Sequence, residues 1–293
     1  MSQYSRRDFI RAGAAAGALA SLESSPLTAE KKSATEWVTL GKSKVKVTRL
    51  ALGTGTFSGG VQRRLGQEDF NRLVHYAYDR GIRFFETADS YADMHTMLGI
   101  ALKPFPRDSY RLMTKVTTAD PIEPQKRIDD LRRQAQTEYF DIALLHWQHT
   151  STWPEDTKRW QEGLMKAQAS GSIRSHGASV HGLPALRQVP DFSWLEVALI
   201  RVNHKGVRMD TEDYTSSVGG DVPVVVKNIQ AARQAGLGVI GMKLAGEGTF
   251  GREDRQKAMR FAFRHAGVDA VTVGYRSPAE IDEAIENLNL AFA

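Results

Sequence analysis

The sequence predicts a single-domain α/β fold, a (β/α)8 TIM barrel, on three observations. From Trp37 onward, short apolar runs alternate with amphipathic segments of helical period, the pattern of parallel strands joined by crossover helices. Eight such units fit into 37–293, and barrels of this kind use about 250 residues. The glycines after the first barrel run, "GTGTFSGG" (53–60), lack the G-x-G-x-x-G spacing that an open dinucleotide-binding sheet carries.

The elements follow in order. "EWVTLGKSKVKV" predicts a hairpin turning near Gly41, and "TRLALG" (48–53) the first barrel strand. "QEDFNRLVHYAYDRG" sets Phe70, Leu73, Val74, Ala77 and Tyr78 on one helical face, with Gly81 as the stop. "RFFET" is the second strand, "DMHTMLGIALK" (93–103) a helix and "YRLMTKV" (110–116) the third strand. A charged helix over about 122–137 precedes "FDIALLHW" (140–147), and a helix over 154–169 precedes "IRSHGASV" (173–180). After the short helix "LPALRQV" comes "WLEVALIRVN" (194–203), then a loop over 204–221 that is expected to close one side of the barrel mouth. Asp221 is placed to cap a helix with Pro223 in its first turn. "LGVIGMKLA" (237–245) and "VDAVTVGY" (268–275) are the last two strands. Between them lies a helix with Ala258, Phe261, Ala262 and His265 on one face; the final helix carries Ile281, Ile285 and Leu288.

Composition sets the limits. The chain is 41% hydrophobic and 25% charged, and has no cysteine, which excludes disulfides and thiolate metal sites. Of the formal net charge of +5, only +1 falls in residues 1–29. The remaining excess is spread along the chain and is not the footprint of a nucleic-acid binder. The N-terminus stands apart. "SRRDFIRAGAAAGALA" places Arg6 and Arg7 ahead of an Ala/Gly run too short for a transmembrane helix. It resembles a twin-arginine export signal, read by the translocation machinery. Residues 1–29 are therefore assigned to a signal peptide, 30–36 to a linker and 37–293 to the barrel, with a periplasmic destination and no stable membrane insertion of the mature domain. If the signal is not used, the protein is cytoplasmic.

Barrel chemistry sits at the C-terminal strand ends. Glu86 ends the second strand, with Tyr91 in the loop beyond; Lys115 ends the third and His146 the fourth. Phe84/Glu86, Met113/Lys115 and Leu144/His146 keep the period of two that would turn all three polar groups inward. Each alone reads as a rim or core residue, but together they make a coherent acid. An ammonium lowers the pKa of a nearby phenol, a carboxylate fixes the ammonium, and an imidazole orients a carbonyl oxygen.

"FFETADSY", "LGIALK", "LMTKV", "FDIALLHW", "GSIRSHGASV" and "VTVGYRSPAEIDEAIEN" are similar to the aldo-keto reductase family from about Trp37 to the C-terminus. The resemblance implies an NADP(H)-dependent, metal-free oxidoreductase interconverting an aldehyde or ketone and an alcohol, with NADPH preferred to NADH. It makes Tyr91 the general acid, Lys115 its partner, His146 the carbonyl orienter and Glu86 a replacement for the usual aspartate. It gives Ser179 the nicotinamide carboxamide and Asn203 a neighbouring contact. Lys243, Gly246 and Gly248 take the pyrophosphate, Arg276 and Ser277 the adenosine phosphate, and Glu283 the adenine. The family's asparagines after Ser179 and Glu283 are replaced by Val180 and Ala284. Phe57 and Trp147 are read either as lining for an aromatic substrate pocket or as core. Two other readings stay open: a non-catalytic nucleotide-binding barrel, and a barrel metallohydrolase using His146, His149, His176, His181, Glu86 and Asp89 as ligands.

Overall fold

A computed structural model describes residues 33–215 and 219–293. The twin-arginine segment and residues 30–32 of the assigned linker lie outside the described residues. Strands β1 (Trp37–Thr39) and β2 (Lys46–Thr48) form an antiparallel hairpin. Eight parallel strands then close into a barrel: β3 (Leu50–Gly53), β4 (Phe84–Glu86), β5 (Arg111–Thr117), β6 (Ile142–Gln148), β7 (His176–Val180), β8 (Val197–Arg201), β9 (Gly238–Met242) and β10 (Ala270–Val273). β10 pairs with β3 and with β9, which completes the circle. Two apolar clusters follow from strand alternation. The inner one joins Ala51, Phe84, Met113, Leu144, Val197, Leu199 and Ile240 with Leu40 and Val47 of the hairpin, so the hairpin plugs one end of the barrel. The outer one seats the helices, with Phe70, Leu73, Val74 and Ala77 among its buried residues.

Local signals explain the element ends. Gly81 stops its helix at φ 91, a conformation open to glycine without strain. Asp221 accepts from Val224 N at 3.1 Å and caps Val222–Gln234, with Pro223 in the first turn. Three differences from the sequence reading stand out. The helix expected over 154–169 breaks at Thr157, whose hydroxyl donates to Trp153 O at 2.8 Å. The helix Arg252–Arg260 continues as a π-helical turn over Phe261–Ala266. The wider turn shifts the buried face, so Phe263 and Ala266 are buried and the predicted His265 is exposed. Ala34 and Glu36, read as linker, are tied to the barrel: Ala34 N donates to Asn289 Oδ1 at 2.9 Å, and Glu36 pairs with Arg49 at 3.1 Å. The loop after β8 is partly organised by Asn203, as described below.

Candidate active site

The inner rows of the barrel end at its C-terminal mouth in polar groups. Phe84 fills the interior and Glu86 follows it on the same face; Met113 leads to Lys115 and Leu144 to His146. Lys115 Nζ is ion-paired with Glu86 Oε1 and donates to Thr87 O at 2.9 Å, and both side chains are almost fully buried. The other Glu86 oxygen accepts from Thr272 Oγ1 at 3.1 Å. A Cβ on Gly53 would lie 2.8 Å from that oxygen and 2.3 Å from Thr272 Oγ1. The missing side chain is thus what makes room for a glutamate at the strand end.

Tyr91 stands in the loop after β4. Lys115 Nζ lies over its ring, 4.8 Å from the centroid, and the His146 ring meets it edge-on at 5.6 Å. His146 Nδ1 is 3.2 Å from Ser90 Oγ. Burial, followed by the charges of Lys115 and Lys243, holds the His146 pKa well below the ordinary histidine value, so the ring is neutral at pH 7. Burial also pulls Lys115 well below the ordinary lysine value, and Lys243 acts in the same direction. Tyr91 corrects the sequence reading. Burial, then Asp89 and Glu247, raise its pKa above the ordinary phenol value, where a lowered one was expected. The Lys115 ammonium is directed at Glu86 and Thr87 O and faces the ring rather than claiming the phenol oxygen.

A second polar row closes the opposite wall. Ser179 Oγ lies 3.0 Å from His181 Nε2, and Arg201 Nη2 lies 2.5 Å from His181 Nδ1. Arg201 also faces Asp210 at 3.5 Å. Asp210 is fully buried, neither of its oxygens has a hydrogen-bond partner, and burial pushes its carboxyl up to about 7. Arg201 and Asp210 were missed from sequence. The alternation Val197/Leu199/Arg201 along β8 was the available signal for the arginine; Asp210 sits in an aperiodic loop that offers none.

One cavity of about 450 Å³ joins Glu86, Tyr91, Lys115, Ser179 and His181 to the outer loops, while His146, expected in the catalytic set, stands behind Tyr91 and is not among the lining residues. Glu86, Tyr91, Lys115, Ser179, Lys243 and Gly248 line it, and it continues to Arg276 and Glu283. The cations on this path carry carboxylate partners. Lys243 pairs with Glu247, which also takes Arg208 at 3.2 Å. Arg276 pairs with Glu280, and Arg255, absent from the sequence reading, holds Glu283 through two contacts of 2.7 and 2.8 Å. Three expected cofactor residues do not line the cavity. Asn203 accepts from Lys205 N and Val207 N at 3.1 and 3.2 Å and donates to Val207 O at 2.7 Å, so its amide folds the loop after β8. Ser277 caps the last helix. Gly246 takes φ 56 at a turn where a Cβ would meet Thr249 Oγ1 at 2.6 Å.

The remaining sequence candidates separate. His176 begins β7, at the opposite end of that strand from Ser179, and stacks on Trp194 at 4.4 Å. His149 packs on Tyr214. Among the described residues no three His, Asp or Glu side chains come together to hold a metal ion. Phe57 and Trp147 are 62% and 49% exposed, which excludes a core role; Trp147 has φ 62 where the β6–β7 register shifts.

Residues 49–257 match the Aldo/keto reductase family, and residues 3–22 match the TAT (twin-arginine translocation) pathway signal sequence. "Probable aldo-keto reductase 1" of Glycine max is 29% identical over 172 residues, which is 51% of this chain and 50% of that one. The chain spans about half the length of the first curated relatives it matches. Pyridoxal 4-dehydrogenase of Microbacterium luteolum is 22% identical over 86% of this chain and 92% of its own. The holo form of an aldo-keto reductase from Bacillus halodurans superposes with a TM-score of 0.68 at 18% identity, covering 88% of this chain and 95% of the other. That likeness establishes the fold.

Proposed function

The chain belongs to the aldo/keto reductase family, and on that premise we propose that it is an NADP(H)-dependent oxidoreductase. It reduces an aldehyde or ketone to an alcohol, or runs the reverse, with Tyr91 as proton donor. The observation that carries this reading is the convergence of Glu86, Lys115 and Tyr91 on one cavity, with the neutral His146 against the tyrosine ring. The cavity also suits a dinucleotide. It is continuous from Lys115 to Arg276, it offers Lys243, Arg255 and Arg276 as cations, and a Cβ at Gly248 would meet nothing within 4 Å, so backbone is open there. When bound, NADPH supplies the hydride. A phenol with a raised pKa keeps its proton at neutral pH and is present as the acid. In this reading Ser90, 3.2 Å from His146 Nδ1, is the donor of that pair, which puts the imidazole proton on Nε2 to hold a carbonyl oxygen in line with Tyr91. Lys115, fixed by Glu86 and Thr87 O, stabilises the negative charge that develops on the tyrosine as the proton leaves. Fluorescence titration with NADPH and NADH, followed by turnover on a panel of aldehydes, ketones and quinones, tests the reading. Failure to bind either nucleotide would sink it.

Arg276 is read as the contact for the 2′-phosphate, which must displace Glu280 to reach it. A guanidinium–phosphate contact is charge-assisted and bidentate. Arg276→Ala is expected to raise the NADPH dissociation constant about tenfold or more and the NADH constant much less. Equal losses for both nucleotides would remove Arg276 from phosphate recognition.

The N-terminus carries a twin-arginine signal sequence. In this reading residues 1–29 direct export to the periplasm ahead of the barrel, which travels folded. Replacing Arg6 and Arg7 by lysine is expected to retain the protein in the cytoplasm. A reporter fused to residues 1–36 that remains cytoplasmic in a host with a working twin-arginine pathway would contradict export.

A further inference from the structure

We infer that Arg201 and His181 are positioning residues that hold Ser179 as a hydrogen-bond donor toward the carboxamide of a nicotinamide cofactor. The inference rests on the reading of Ser179 as the carboxamide contact and adds the two residues that aim it. A guanidinium has donors and no acceptor. Arg201 Nη2, 2.5 Å from His181 Nδ1, therefore requires that nitrogen to be unprotonated. The ring is neutral in this setting, since burial and then the Arg201 charge depress its pKa. Its one proton must then sit on Nε2, which lies 3.0 Å from Ser179 Oγ. His181 thus donates to the serine, and the serine's own hydrogen is free to point elsewhere. Ser179 and His181 both line the cavity, so the free hydrogen has the cavity to serve, where a carboxamide oxygen can accept it. Without Arg201, either tautomer of His181 is accessible, and the serine could turn its proton back to the ring. Asp210 keeps the guanidinium in place: it lies 3.5 Å from Arg201 Nη1 and has no other partner for its carboxylate. The following position, Val180, is buried and apolar, so the side-chain polar contacts of Ser179 on this wall come from His181.

The test compares NADPH with 2′,5′-ADP, which lacks the nicotinamide. Arg201→Met is expected to raise the NADPH dissociation constant about three- to tenfold, the range of one neutral hydrogen bond, and to leave that of 2′,5′-ADP within about twofold. Arg201→Lys, whose ammonium can still donate to Nδ1, should recover most of the loss. Because Arg201→Met leaves Asp210 buried without its cation, Arg201→Met/Asp210→Leu is measured beside it and should show the same selective loss. Nitrogen-15 NMR of the imidazoles should find His181 protonated on Nε2 in the parent protein and a tautomer mixture in Arg201→Met. A protonated Nδ1 in the parent, or equal changes for the two ligands in both variants, overturns the inference. Ser179→Ala separates the two levels. If it weakens NADPH while both Arg201→Met variants do not, the positioning role alone fails. If Ser179→Ala leaves NADPH binding unchanged, the carboxamide reading fails and takes the inference with it.

Discussion

Replacing Tyr91 with phenylalanine is expected to lower carbonyl reduction by about 10² to 10⁴, the usual contribution of a general acid. The ring keeps its place over Lys115 and against His146, so NADPH affinity should stay within a few-fold and the thermal midpoint should hardly move. The split matters more than the loss. A tyrosine that only packs would cost stability or affinity and spare turnover at saturating cofactor. Unchanged turnover of a confirmed substrate by Tyr91→Phe would remove the proton donor from the account.

Lys115→Met is expected to destabilise the protein by about 3–5 kcal/mol, because it strands the buried Glu86 carboxylate without its cation. Lys115→Met/Glu86→Leu should return most of that stability, since removing both members of a buried pair is often close to neutral. It should not return turnover. Urea melts of the single and double variants read the first effect, and a saturating assay reads the second. Recovery of activity in the double variant would show that the pair serves only the fold. Glu86→Asp belongs to the same argument. Glutamate spans both Lys115 and Thr272 because Gly53 leaves space for its longer stem. A carboxylate shorter by one methylene loses one of those contacts, so turnover should fall; a rise would mean that the glutamate is a poor fit to its pocket.

The site was legible where strand alternation governs it. Phe84/Glu86, Met113/Lys115 and Leu144/His146 place their polar members from the pattern alone, and the barrel follows from the repetition of strand and helix signals. Arg201 obeyed the same alternation after Val197 and Leu199 and was overlooked because nothing near it in sequence shared its chemistry. Asp210, Arg255 and Glu280 gained meaning only through partners distant in the chain or across a turn. The pKa of Tyr91 could not be read with the correct sign, because it depends on the direction of the Lys115 ammonium and on burial, neither of which is encoded in spacing. The π-helical turn at Phe261–Ala266 and the register shift before Gln148 are departures from ideal period, which periodicity cannot register. Asn203 was read as a ligand contact by position, whereas its amide bonds the backbone of its own loop and the Lys243 carbonyl after β9.

The central claim is that this barrel moves a hydride from a nicotinamide to a carbonyl carbon while Tyr91 protonates the oxygen. It is tested most directly by turnover with NADPH deuterated at the transferring C4 position, with the alcohol product analysed by mass spectrometry. The account predicts one deuterium on the carbinol carbon in the parent protein and no product above background with Tyr91→Phe. Alcohol formed without deuterium, or NADPH bound tightly with no carbonyl in a broad panel reduced, would contradict it.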